Sequence, residues 1–435
     1  MQDRPADLLG DLIRFDTTNP PGHEAACIAY VRGLLEAAGL DCVLLARTPE
    51  RPNLLTRLRG AGAAPPLLVY GHVDVVPTEG QRWSHPPFAG DVADGFLWGR
   101  GALDMKGGVA MMLAAVLQLQ AAGVRPAGDV VLAVLSDEEA GGNEGAKFLV
   151  EEHAGRFAGI RYALGEFGGF TLSVGGRRFY PIQVSEKQLC TLRITVRGAG
   201  GHGAFRTQGG AMARIARVLL ALDEAPLPVH VLPSVRRMCE TMAAAVDEPL
   251  AGALRALVEP ATTDRALAQI GPLAALFDPM FHHVANATMV RGGVKINVIP
   301  SEVAIDLDGR LLPGFGPDDL VAELRARLGP EPEIDLVRYD QGAGEPDMGL
   351  FDLLGGVLRA ADRGAIPIPF LLPAVTDGRF FSRLGIQTYG FTPMQLPAGF
   401  NFLQTIHAAD ERIPLDAVEF GTRAIRAALE AYGRA

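Results

Sequence analysis

The stretch LVYGHVDVVP (68–77) decides how the rest of the chain is read. The apolar run from Leu67 to Tyr70 has the character of a buried strand. It passes into a glycine, then offers His72 and Asp74 one residue apart, and Pro77 stops any strand. Alone, the pair reads equally well as a polar strand end at the surface. Its meaning depends on the segments around it.

Those segments alternate. Leu8 to Phe15 and Glu24 to Ala38 predict helices on either side of the turn-rich DTTNPPG (16–22). Short apolar runs follow at Pro66–Tyr70, Val130–Leu135 and Tyr162–Leu164, and Lys106 to Ala122, opened by glycines, predicts a helix between the first two. Strand, helix, strand with continuously apolar strands is the pattern of an α/β sheet covered on both faces. Near residue 186 the pattern changes. LCTLRITV (189–196) alternates like a half-exposed strand and Gly210 to Leu222 predicts a helix. Strands at Ala287–Val290 and Glu302–Leu307, a helix at Pro317–Leu328 and a strand at Ile334–Tyr339 follow. That order, β-α-β-β-α-β, is ferredoxin-like. An Ala/Leu-rich insert at about 230–285, expected to be helical, interrupts it. From about 343 helix and strand segments resume and end in a helix over Asp416–Tyr432. The expected architecture is an α/β domain over 1–185 and 343–435, split by an inserted α+β domain over 186–342.

Composition narrows the function. The 435 residues are 48% hydrophobic and 21% charged, enough for two or three domains. A formal charge of −10 and a pI near 5.5 argue against a phosphate-binding surface, so nucleic acid is not an expected partner. Cys27, Cys42, Cys190 and Cys239 are scattered without a C-x-x-C, which fits a reducing compartment. MQDRPADLLGDLIRF carries acids from its third residue and reads as an amphipathic helix, not a signal peptide. No run has the apolar length of a membrane span. A cytoplasmic location is expected.

The candidate chemistry sits at strand and loop ends. Asp104 lies in GRGALDMKGG (99–108), where glycines allow close backbone approach just before a helix; alone it reads as a cap. The apolar VVLAVL ends in SDEEAGG (136–142). Such an acidic run is normally solvated surface, but here it follows a strand, where open α/β sheets place their ligands. The strand at Tyr162–Leu164 ends in GEFGG with Glu166, and TIHAADERI (405–413) offers His407 in a loop. His72, Asp104, Glu139, Glu166 and His407 are natural ligands for a borderline divalent ion such as zinc. Three carboxylates and a bridging hydroxide balance two divalent cations, and burying so many acids without cations would be costly.

The motifs GHVDVVP, GRGALDMKGG, SDEEAGG and IHAADERI, in that order, resemble the M20 family of dinuclear zinc peptidases and amidohydrolases. That family includes aminoacylase-1, carboxypeptidase G2, acetylornithine deacetylase and succinyl-diaminopimelate desuccinylase. The resemblance runs nearly the full length, and GEFGGF with SEKQLCTLRITVRGAGGHG looks most like the aminoacylase and carboxypeptidase-S branch. It implies two zinc ions per subunit, with cobalt or manganese as substitutes. His72 and Glu166 would hold one and Glu139 and His407 the other, with Asp104 bridging. It implies that Asp74 fixes the ring of His72 and that Glu138 is the general base. His202 in GAGGHGAF would hydrogen-bond the substrate carbonyl oxygen, from the other subunit of a homodimer, and the inserted domain would serve as lid and dimerisation domain. Asn297 in KINVIPS and Arg310 in DLDGRLLPG would grip the substrate, Arg310 through a carboxylate. Read without the family, these three are a turn histidine, a strand-end asparagine and a surface arginine.

The implied reaction is hydrolysis of an amide bond beside a free carboxylate, in a small peptide or N-acyl amino acid. Carboxypeptidase, dipeptidase and N-acyl-amino-acid deacylase all satisfy it, as do the biosynthetic acetylornithine and succinyl-diaminopimelate deacylases. A non-catalytic metal-binding protein on the same scaffold would have lost Glu138 or a ligand, and all are present. A serine or cysteine nucleophile is the third class, and there is no G-x-S-x-G. Two departures bear on the substrate. FRTQGG replaces the proline usual after the GHG segment, and AVTDGRFF keeps Thr376, Asp377 and Arg379 while Ala374 and Gly378 differ. His23, His85, His153, His230, His282 and His283 read as ordinary surface or core residues.

Overall fold

The computed structural model describes residues 4–434. Residues 1–3 of the N-terminal helix reading, with the early acid Asp3, lie outside the described residues. The chain forms two compact units. The first holds the chain up to Val184, then Pro346–Phe370 and the chain from Thr376 onward. The second holds Ser185–Glu345 and Leu371–Val375.

The first unit is built on a mixed sheet. Its strands run, in spatial order, Cys42–Leu45, Asn53–Leu58, Val130–Leu135, Leu67–His72, Tyr162–Gly165, Gln387–Gly390, Arg177–Glu186 and Ala365–Leu372. Leu67–His72 is parallel to both of its neighbours, with Val69 level with Leu132 and Leu164. The C-terminal ends of three buried strands therefore coincide. Every residue of Leu67–His72 and Val130–Leu135 is buried, because helices cover both faces. Leu67 and Val69 pack into one core with the helices Pro5–Ile13, Ala25–Ala37, Lys106–Ala121, Phe351–Ala361 and Leu415–Ala431. Leu68 and Tyr70 point to the other face, against Phe148, Leu149, Phe380 and Phe381. The strands Cys42–Leu45, Asn53–Leu58, Arg177–Glu186, Ala365–Leu372 and Gln387–Gly390 carried no strong sequence signal; they flank the apolar strands at the sheet's edges.

The second unit has a four-stranded antiparallel sheet in the order Val284–Gly292, Glu302–Leu311, Gln188–Arg197, Glu333–Asp340. The helices Ala211–Asp223 and Pro317–Leu328 pack their apolar residues, among them Ile215 and Leu320, into its core. This is the ferredoxin-like order expected. The segment between them carries the helices Pro233–Ala245, Leu250–Leu257, Thr263–Leu267 and Ala274–Phe281. Among the described residues no helix is long and apolar enough to cross a membrane, and all four cysteines are free thiols.

Candidate metal centre

His72 is the last residue of its strand, and its ring is locked. Nδ1 lies 3.0 Å from the carbonyl oxygen of Asp74 and 3.4 Å from the Asp74 carboxylate. Both partners are acceptors, so Nδ1 carries a proton, and Nε2 is the ring nitrogen that faces inward. There Nε2 meets Glu166 at 3.0 Å and Asp104 at 3.3 Å. Across Asp104, the other carboxylate oxygen lies 3.1 Å from His407 Nε2, and Glu139 lies 3.4 Å from the same nitrogen. The structure thus places His72, Asp104, Glu139, Glu166 and His407 in one chain of contacts, with Asp104 between the two imidazoles.

Local backbone explains why these segments meet. Gly101 takes a left-handed φ of 88°, and a Cβ on Gly107 would stand 2.1 Å from the Ala102 carbonyl oxygen. Only glycine lets the loop before Lys106–Ala121 fold this tightly around Asp104. The acidic run 137–139 is not solvated. Asp137, 3% exposed, takes a left-handed φ of 71° and turns back into the fold. It accepts the Glu144 N–H at 2.8 Å and pairs with Arg51 at 2.8 Å. Asp74 accepts the backbone N–H groups of Glu138 and Glu139, each at 3.1 Å, and the Asn19 amide at 2.8 Å. One buried carboxylate therefore orients His72 and anchors the turn bearing Glu138 and Glu139.

The electrostatics describe a site short of positive charge. Burial pulls the His72 imidazole down, yet hydrogen bonds to Asp104, Asp74 and Glu166 hold it well above its usual value. Hydrogen bonds to Asp104 and then Glu139 push His407 up to about 10. Burial, then the Asp104 charge, raises Glu139 to about 7. Burial, then the Glu166 charge, raises Glu138. Asp377 is buried, has neither carboxylate oxygen hydrogen-bonded and is pushed up to about 8, chiefly by burial. Arg379 lies 3.9 Å from Glu138. Protons here stand where cations would.

The donor set fits divalent cations. The buried Oε1 of Glu139 has only the long, 3.4 Å contact to His407 Nε2. His72, Asp104 and Glu139, and separately His72, Glu138 and Glu166, each bring ligand atoms within 4.8 Å of one another. Imidazole and carboxylate in this number suit zinc and its borderline neighbours. A third cluster, His230, His283 and Glu323, meets the same distance criterion but not the chemistry. His283 Nδ1 accepts the Leu312 N–H at 3.1 Å. Its proton is therefore on Nε2, the atom turned toward Glu323, and a ligand needs that lone pair free. A cavity of about 690 Å³ lined by Leu40, Arg57, Arg59 and Arg125 contains none of the candidate residues.

Three candidates belong to the second unit. His202 and Asn297 are neighbours: His202 is in register with Val298, and the Gly203 N–H donates to the Asn297 carbonyl at 2.9 Å. Arg310 sits at the far end of Glu302–Leu311, forked onto Asp308 at 2.8 and 3.1 Å. Sequence reading missed Asn19, Arg51, Asp137, Arg100 and Glu411, all of which support the centre. Glu411 had a signal, four residues after His407 in IHAADERI; the others read as turn, surface or solvated acid.

A family model described as Peptidase family M20/M25/M40 matches residues 68–431. A succinyl-diaminopimelate desuccinylase of Paracoccus denitrificans is 29% identical, over 98% of both chains. A probable carboxypeptidase S-like 2 of Dictyostelium discoideum is 26% identical, over 80% of this chain and 68% of its own. Among solved structures, the M20 family metallo-carboxypeptidase Sso-CP2 of Sulfolobus solfataricus superposes with a TM-score of 0.69 at 17% identity, covering 99% of both chains. Fold and convergent donors together define a metallohydrolase. The chain belongs to peptidase family M20/M25/M40.

Proposed function

We propose that the protein hydrolyses an amide bond beside a free carboxylate, as a carboxypeptidase, dipeptidase or N-acyl-amino-acid deacylase dependent on two zinc ions. The observation that carries this reading is the run of inward-facing donors on both sides of Asp104, with the His72 tautomer fixed by Asp74. His72 and Glu166 would hold one ion, Glu139 and His407 the other, and Asp104 both. Bound zinc polarises an amide carbonyl and lowers the pKa of water to about 7. Glu138, on the same turn as Glu139, takes the proton from the attacking water. It returns that proton to the leaving nitrogen. Burial and the Glu166 charge keep Glu138 a strong enough base to accept it.

In the second unit, His202 donates to the carbonyl oxygen as charge develops there. It does so from the partner subunit of a homodimer formed through the inserted domain. Asn297 and Arg310 hold the substrate, and Asp308 presets the Arg310 fork for a carboxylate. The full-length likeness to a desuccinylase favours a second, narrower reading as a biosynthetic deacylase of N-succinyl or N-acetyl amino acids. Profiling N-succinyl, N-acetyl and dipeptide substrates against zinc content separates the readings. Full activity in metal-free protein overturns both. Mixing inactive His202→Ala with inactive Glu138→Gln protein tests the dimer, because heterodimers restore one intact site only if His202 acts across subunits.

A further inference from the structure

Two of the proposed ligands, His72 and Glu166, stand at the ends of buried parallel strands, where the sheet itself fixes them. Asp104 and His407 do not. Both are on loops, and His407 takes a left-handed φ of 59°, which side chains other than glycine seldom adopt. Something else must hold these two in place.

That something is a buried pair. Arg100 and Glu411 are both fully buried and meet at 2.6 Å. Apart from the Arg100 bond to Gln81, their remaining bonds go to main-chain atoms of the two loops. Glu411 accepts the N–H groups of Leu103 at 2.8 Å and Asp104 at 3.1 Å. Arg100 donates to the carbonyls of Ala408 at 3.1 Å and His407 at 3.3 Å. Gln81 closes the circle, accepting from Arg100 at 2.7 Å and donating to the His407 carbonyl at 2.8 Å. Just beyond, the Asp410 carboxylate accepts from the backbone and hydroxyl of Ser84 at 2.6 and 2.8 Å. The Asp104 amide and the His407 carbonyl are thus two ends of one hydrogen-bonded unit, although the residues lie in distant motifs.

We propose that Arg100, Glu411 and Gln81 are positioning residues that set how tightly the metal place of Glu139 and His407 holds its ion: Asp104 is shared by both places, but that of His72 and Glu166 keeps two ligands fixed by the sheet, whereas the other depends on the loop bearing His407. This rests on the dinuclear reading above. A buried ion pair is weak evidence of stability by itself; its value here is geometric, because guanidinium and carboxylate each grip a different ligand loop. Arg100→Lys keeps the charge and loses the fork. Gln81→Met removes both of its bonds from a partly exposed loop position and leaves the buried pair intact.

The test loads the full-length protein and these variants with zinc, dialyses them, counts the retained zinc by mass spectrometry and follows its release to a chelator. Thermal melting of the metal-free forms runs alongside. The wild type is expected to retain two zinc ions. Both variants should lose one selectively, with affinity for that ion down by about 10–100-fold, and metal-free Gln81→Met should melt with the wild type. If Arg100→Lys fails to fold, Gln81→Met carries the test. Retention of both ions at wild-type release rates overturns the inference, as does loss of both in step. Fewer than two ions in the wild type overturns the dinuclear reading itself, and this inference with it.

Discussion

Asp74→Asn is the most informative single substitution, because it keeps shape and removes only charge and one acceptor. The wild-type carboxylate faces four donors: the His72 ring, the Asn19 amide and the backbone N–H groups of Glu138 and Glu139. An amide offers one oxygen and one NH2, so whichever way it turns, donors at one end meet donors. Hydrogen bonds to a charged group contribute about 1.5–3 kcal/mol each, so losing two puts the cost at about 3–6 kcal/mol. Urea unfolding of the metal-free proteins at neutral pH measures it. The Asp74 carboxyl is held below its usual value; burial pushes it up, but the hydrogen bond and charge of His72, then Asn19, prevail. Its stabilisation is therefore present above the unfolded carboxyl value near 3.9 and is lost as pH falls through the lower folded value. The gap between wild type and variant should narrow in acid. Zinc affinity should also fall, by about tenfold, the low end for loss of an orienting carboxylate, since the His72 ring keeps its 3.0 Å bond to the Asp74 carbonyl and loses only the charge beside it. Equal unfolding midpoints at neutral pH with unchanged zinc affinity would refute the reasoning.

Glu138→Gln should keep its metal and lose at least about a hundredfold in kcat; loss of metal instead would mean that the roles of Glu138 and Glu139 are exchanged. Zinc must displace protons from His72 and His407, both of which the site's carboxylates hold above the usual imidazole value. Calorimetric zinc binding should therefore release protons, and a heat independent of buffer ionisation enthalpy counts against this. In metal-free protein the His407 contribution to stability is full below its unfolded value near 6.5 and is lost as pH rises toward about 10. Arg310→Ala should cost kcat/KM about 2–4 kcal/mol, and amidating the substrate carboxylate should cost the wild type as much and the variant far less. Equal hydrolysis of acid and amide by the wild type would remove Arg310 from that role.

The sequence is most legible where the physics is local. VVLAVL and the run at Leu67 are buried on both faces, so continuous apolarity marks them without help. The strands Cys42–Leu45, at the sheet's edge, and Gln387–Gly390, between Tyr162–Gly165 and Arg177–Glu186, are short, partly exposed and defined by their partners, and no period betrays them. The same divide runs through the site. His72, Asp104, Glu139, Glu166 and His407 stand in motifs whose order is visible along the chain. Asn19, Arg51 and Arg100 act through contacts with residues far away in sequence, which a linear reading does not supply. Asp137 shows the limit most clearly. Three acids in a row look like solvent-facing surface, and only a left-handed backbone turns the first of them inward.

The division of the first unit in sequence has a consequence for biosynthesis. His72, Asp104, Glu139 and Glu166 are all translated before the second unit, whereas His407 and Glu411 follow it. At 5–20 residues per second the ribosome needs on the order of ten to fifty seconds to cross that gap. During that interval the nascent chain presents a crowd of carboxylates with half its imidazoles missing and no Glu411 to fix Asp104. An ion captured then would be bound loosely and exchange freely. On the dinuclear reading, commitment to metal would fall to the end of synthesis, when the Leu415–Ala431 helix docks against Lys106–Ala121 and His407 joins the other proposed ligands. Chains stopped short of residue 407 would carry the clustered acids without His407 and Glu411.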